Sequence, residues 1–120
     1  MTAHAGAQAE EQALAYLQAN GLRFLTRNYR CRGGELDLIM TDGDMLVFIE
    51  VRHRTWNDFG APEETVTSSK RQRLLLAART YLVRHPRHAR RPARFDVVSL
   101  EGRFPEIRIR WIRNAFGAEG

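Results

Sequence analysis

Cysteine is almost absent from this chain of 120 residues. Cys31 stands alone, so no internal disulfide can form and a zinc site built on cysteines is excluded. A reducing compartment is therefore expected, and with it a cytoplasmic protein. Lysine is equally scarce. Lys70 is the only lysine among 19 Lys and Arg residues. GC-rich arginine codons account for such a bias, and they make the one retained lysine worth locating. Long apolar runs are missing too. No stretch approaches the roughly 20 apolar residues of a membrane span. The alanine-rich, polar start from Met1 to Gln12 has no apolar core of signal-peptide length. No membrane association is expected.

What remains is the composition of a globular domain. Apolar residues make up 43% of the chain and charged residues 28%, enough to bury a core and solvate its surface. The length fits one domain, expected over residues 1–116, with 117–120 as a loose C-terminal tail. A net charge of +5 and a sequence pI near 10.3 favour polyanions as partners.

The chain is punctuated clearly. A helix is expected from about Ala3 to Asn20, stopped by Asn20-Gly21. Strand-like runs follow at Leu22–Arg30, Glu35–Met40 and Met45–Arg52, the last two joined by the tight loop Thr41-Asp42-Gly43-Asp44. A loop with exposed-looking Trp56 and Phe59 leads to a second helix, Ser69 to Arg84, capped by Thr67 or Ser68 and ended by Pro86. Phe95–Leu100 reads as a buried strand, and Glu106–Trp111 alternates as an edge strand should. The order α-β-β-β-α-β plus an edge strand gives an α/β fold, a mixed central sheet flanked by helices.

The chemistry gathers on the central hairpin. With its turn centred between Asp42 and Gly43, Asp37 lies opposite Phe48 and Glu35 opposite Glu50. Glu35, Asp37, Glu50 and Arg52 then share one face, and Leu36, Leu38, Val47, Ile49 and Val51 the other. Asp37 and Glu50 become diagonal neighbours, roughly 7–8 Å apart at the backbone. A slip of one residue would part them. Neighbouring acids repel unless a positive group lies between them. Arginines such as Arg52 and Arg94 would serve as ordinary ion pairs, and so would Mg²⁺ or Mn²⁺, which favour carboxylate oxygens.

Two helical residues point to the same place. Glu10 shares a stripe with Ala13, Leu14 and Leu17, so it faces inward and needs a partner, or else serves the helix macrodipole. Lys70 begins the inward stripe Leu74, Ala77, Ala78 and Tyr81. A cation is unfavourable at a helix start, so an anion is expected beside it, either a phosphate or the carboxylates. His53 should face away from the acids. His85 and His88 read as solvated loop residues, and Asp96 as the structural partner of an arginine.

These residues resemble the PD-(D/E)XK nuclease superfamily. More closely, they resemble the YraN-type bacterial family, thought to be related to archaeal Holliday-junction resolvases. The resemblance runs through Gly6 with Ala9-Glu10, Arg27-Asn28-Tyr29-Arg30, Gly34-Glu35-Leu36-Asp37-Leu38-Ile39 and Val47-Phe48-Ile49-Glu50-Val51-Arg52. It continues with Phe59-Gly60, Lys70 and Arg94-Phe95-Asp96-Val97-Val98. It implies a restriction-endonuclease-like fold and Mg²⁺- or Mn²⁺-dependent hydrolysis of nucleic acid, DNA rather than RNA. Asp37 and Glu50 would be metal ligands, helped by the Val51 carbonyl, with Glu10 reaching the metal through water.

Arg52 departs from the pattern, because the superfamily has lysine there. Arginine can clamp a phosphate but cannot serve as a base, and Lys70 would take over part of the lysine's role. Trp56 and Phe59 would stack on an unpaired base or pack on the domain. By analogy with junction-cutting relatives, a homodimer is expected. The rival readings are a catalytically weakened domain that binds nucleic acid or a protein partner, and an interaction protein with no nucleic-acid role.

Overall fold

The hairpin turn fixes the position of everything around it. In the computed structural model, which describes residues 3–4, 6–55 and 60–117, the turn consists of Gly43 and Asp44. Asp42 pairs with Met45, and the ladder runs back to Leu38↔Ile49. Gly43 takes a positive φ of 60°, as so short a hairpin loop requires. The expected register was therefore off by two residues. A shift of two keeps every side chain on its face, so the acids still share one. It changes their relation, because the next rung would place Asp37 level with Glu50.

The elements run β1 (Ala3–His4), α1 (Ala7–Ala19), β2 (Arg23–Cys31), β3 (Gly34–Asp42), β4 (Met45–Arg54), α2 (Ser68–Arg84), β5 (Ala93–Arg103) and β6 (Glu106–Phe116). Short 3₁₀ turns at Pro62–Thr65 and Pro86–His88 flank α2. The main sheet has the order β2-β3-β4-β5-β6. Only β4 and β5 are parallel, joined by the α2 crossover that a parallel pair needs. The result is a mixed sheet with two helices.

The first helix starts later than expected. Gly6 is its N-cap, and the residues before it form β1, which pairs with β4 at His4↔Arg52 and Ala3↔His53. A two-residue strand carries no periodicity for a sequence pattern to reveal. The second helix begins where Thr67 accepts the Lys70 amide on its hydroxyl (3.2 Å). It ends at Arg84, before Pro86.

Both sheet faces are core. Leu38, Met40, Val47, Ile49 and Val51 pack with Ala9, Ala13 and Leu17 of α1. Ile39, Leu46, Phe48, Phe95 and Val97 pack with Leu74, Ala77, Ala78 and Tyr81 of α2. Leu36 also joins the α2 cluster, although its place in the alternation put it with Leu38. The neighbouring strand β2 leaves extended backbone at this level. Asn28, between the rungs Arg27↔Leu38 and Tyr29↔Leu36, takes a φ of 51°.

His88 departs from its expected place on the surface. It is buried in a parallel stack over Tyr81 (6.1 Å between ring centres). Burial first, and then the charges of Arg91 and Arg87, push its pKa below the usual imidazole range. His85 also stacks on Tyr81, at 4.1 Å. Trp56, Phe59 and residues 118–120 lie outside the described residues. Among the described residues, no helix is long and apolar enough to cross a membrane.

Gly34 lets β3 and α2 approach closely. A Cβ added there would lie 2.5 Å from the Arg73 carbonyl oxygen and 3.0 Å from the Ala77 nitrogen. Gly34→Ala should therefore cost about 1–3 kcal/mol in urea unfolding, because backbone must move. An unchanged midpoint would show that α2 does not sit this close.

Candidate functional site: an acid pair where two strands part

The site lies where β3 leaves β4. Their ladder ends at Leu38↔Ile49, and β1 takes up the same edge of β4 at Arg52 and His53. Between them the Val51 amide has lost its strand partner. Asp37 supplies one, accepting the Val51 N–H on Oδ2 at 2.8 Å. A buried amide without an acceptor would be costly, so this carboxylate holds the junction together.

Glu50 is the second acid, 2% exposed beside the 4% exposed Asp37. Its Oε2 lies 3.4 Å from Arg52 Nε and 3.7 Å from Lys70 Nζ. Both are ion-pair distances, yet no hydrogen bond reaches that oxygen. Arg52 is held by the Thr65 carbonyl (3.2 Å), and Lys70 donates to Glu35 Oε1 (3.2 Å). Lys70 thus bridges two carboxylates, which answers the anion expected at the start of α2.

Burial dominates the electrostatics. It raises the pKa of Glu50 from near 4.5 to about 8, reinforced by the negative charge of Asp37 and a hydrogen bond between the two carboxyls. Lys70 and Arg52 oppose the shift without cancelling it. At neutral pH the acid pair therefore carries a proton on Glu50, and a cation binding there would displace it.

Of the residues expected at the site, the structure brings together Asp37, Glu50, Arg52 and Lys70. Glu10 is buried on α1, which packs on the opposite sheet face from α2. The chain enters α1 from the strand that pairs with Arg52, at His4. Among the described residues, no group of three or more His, Cys, Asp or Glu gathers at one point, so the protein carboxylates here number two.

Arg94 serves elsewhere, binding Asp96 (3.0 Å) and Asp42 (3.1 Å). Asp96 is structural, as its strand context implied. It also accepts the Trp111 indole N–H and the Asn114 amide, each at 2.9 Å. His53 turns away to the Gly102 carbonyl (2.8 Å). Sequence reasoning missed Arg54. It is buried at the end of β4, holding the Gly60 carbonyl at 2.8 Å and Glu101 at 3.3 Å. Alternation from Glu50 through Arg52 would have placed it on this face.

These features define a mixed α/β protein with a buried acid pair and two fixed cations at an opened strand junction. The chain belongs to the YraN-type family described as Uncharacterised protein family UPF0102, whose model matches residues 9–100 and so spans all six expected site residues. It is 49% identical to the UPF0102 protein of Pseudomonas putida strain GB-1 over 113 residues, covering 93% of this chain and 92% of that one. Identity to the UPF0102 protein of Pseudomonas fluorescens is 47% over 114 residues, covering 94% and 93%. That of Pseudomonas entomophila strain L48 is 48% identical over 113 residues, covering 93% and 92%.

The raised pKa of Glu50 sets a pH dependence. Between about 4.5 and about 8 the folded chain keeps a proton that the unfolded chain has released. Stability should therefore fall as pH rises through that window. Glu50→Gln should flatten the slope and raise stability at its alkaline end. Urea midpoints measured across the range would show this, and a slope unchanged by the substitution would contradict the assignment.

Proposed function

We propose that this protein is a metal-dependent endonuclease that hydrolyses phosphodiester bonds of DNA, at branched or structured sites. The observation that carries this reading is the Glu50 carboxyl: buried, raised in pKa, beside Asp37, with an oxygen that no hydrogen bond satisfies. Such a group costs stability where it stands. The donor set fits a hard divalent cation, Mg²⁺ or Mn²⁺, which takes one or two carboxylates and keeps several waters.

Asp37 and Glu50 would hold the metal, aided by the Val51 carbonyl and by Glu10. When bound, the metal supplies a Lewis acid and lowers the pKa of a bound water. The chain's own residues do the rest. Lys70 and Arg52 lie on the carboxylate pair and would meet the non-bridging oxygens of a phosphate. The numerous arginines would supply backbone affinity with strong salt dependence. A homodimer, as in junction-cutting relatives, would present two such sites to a branched substrate.

Arg52 supports a second reading, a nuclease-like domain that binds nucleic acid or a protein partner without efficient cleavage. Its guanidinium is held by Thr65 and cannot act as a base.

Cleavage of four-way and linear duplex DNA with Mg²⁺ or Mn²⁺ separates the two. Asp37→Asn keeps an acceptor for the Val51 amide, and Glu50→Gln keeps the shape of the side chain. Each should reduce cleavage about 100-fold or more while leaving salt-sensitive DNA binding in place. Cleavage indifferent to both substitutions would sink the nuclease reading at this site. Tight binding with no cleavage under either metal would favour the second reading.

A further inference from the structure

On the α2 face of the sheet the turn Pro62–Thr65 reaches β5 and β6. The helix lies mainly over β3, with lesser contact to β2. Towards β5 and β6 it leaves a groove of about 240 Å³, lined by Leu75, Ala78 and Leu82 on the helix side and by Phe95 and Phe116 on the sheet side. The two phenylalanines stack on each other, 5.0 Å between ring centres. They form an apolar floor that belongs to the α2 core and is itself nearly buried, Phe95 7% and Phe116 8% exposed.

The apolar surface does not stop at the groove. Leu76 is 43% exposed and Val83 81% exposed. They stand seven residues apart, next in sequence to Leu75 and Leu82, and so form a second row on the outward crest of the same helix. Of the three large apolar side chains exposed among the described residues, these are two. The combined strip follows α2 for about two turns, a length that suits a secondary-structure element better than a small molecule.

The charges bordering the strip have one sign. Arg79 and Arg94 are the charged residues lining the groove, and the Arg71 guanidinium stands 5.2 Å from the Phe116 ring centre. Arg94 is neutralised by Asp42 and Asp96. Arg79 is exposed, lies between the two apolar rows, and has no ion-pair partner among the described residues. A second copy docking symmetrically would bring these arginines against their own equivalents.

We infer that the groove beside α2 docks an amphipathic helix of another protein, one whose apolar stripe is flanked by acidic residues. Its apolar side chains enter between Leu75, Leu82 and Phe116, and its carboxylates meet Arg79. The surface is independent of the acid pair, so it stands whether or not the protein cleaves DNA.

The test uses the full chain and two labelled 18-residue helical peptides, with leucine at i, i+3, i+4 and i+7. One carries glutamate at the remaining positions and the other lysine. Fluorescence anisotropy should show micromolar binding of the glutamate peptide and at least tenfold weaker binding of the lysine peptide. Val83→Asp and Arg79→Glu change exposed side chains, so both variants should fold, which circular dichroism checks. Each should weaken the glutamate peptide at least fivefold, and Arg79→Glu should reduce the preference between the peptides. Equal binding of both peptides, no binding of the glutamate peptide, or binding unchanged by Val83→Asp overturns the inference. So does sedimentation showing that the wild type dimerises and that Val83→Asp abolishes the dimer, because a second copy would then own the surface.

Discussion

A single hydrogen bond, from the Val51 amide to the Asp37 carboxylate, sets the geometry of the central sheet. Strands β3 and β4 run as an ordinary antiparallel pair from their turn as far as Leu38 and Ile49, and there the ladder stops. A sheet opened in its interior normally leaves main-chain donors without acceptors, at a cost comparable to a lost hydrogen bond. Here a side chain supplies the missing acceptor, so the opening persists. Its position decides which residues meet. Glu50 and Arg52 lie at the parting, α2 delivers Lys70 over it, and β1 closes the far side.

Two deeply buried acids on neighbouring strands show why this junction differs from the rest of the core. Asp96, on β5, is fully buried and satisfied on both oxygens, by the Arg94 guanidinium, the Trp111 indole and the Asn114 amide. It knits β6 onto the sheet and has no further valence to offer. Glu50, on β4, is as deeply placed, yet cations stand near it without donating a hydrogen bond to Oε2. In a medium of low polarity that arrangement favours the protonated carboxyl. One acid has every oxygen hydrogen-bonded, and the other keeps one oxygen with ion pairs but no hydrogen bond.

Much of this was legible in the residues. Asn20-Gly21, Gly33-Gly34 and Pro86 mark the ends of elements, and the alternation through Glu50 and Arg52 puts both on one face. The inward stripe of α2 correctly carries Lys70 to the carboxylates. What escaped has physical reasons. The loop Thr41-Asp42-Gly43-Asp44 can host more than one tight turn, so the register came out two residues away. The site survived that error because side chains alternate with a period of two. Leu36 changed clusters beside the positive φ of Asn28 on the neighbouring strand, a backbone feature invisible in polarity. His88 was taken for surface, since nothing in a basic loop reveals that an aromatic stack will draw it inside. Arg54 needed only one more step along the same alternation.

The two acids do not carry equal weight as signs of activity. Asp37 serves the main chain by holding the Val51 amide, so a descendant that had lost all chemistry would still have reason to keep it. Glu50 gives the fold no hydrogen bond through its orphaned oxygen and burdens it with a buried carboxyl whose pKa is pushed up to about 8. Selection for stability alone would replace it with glutamine or an apolar residue. Within this family, a chain that retains the glutamate is therefore better evidence of a working site than one that retains the aspartate.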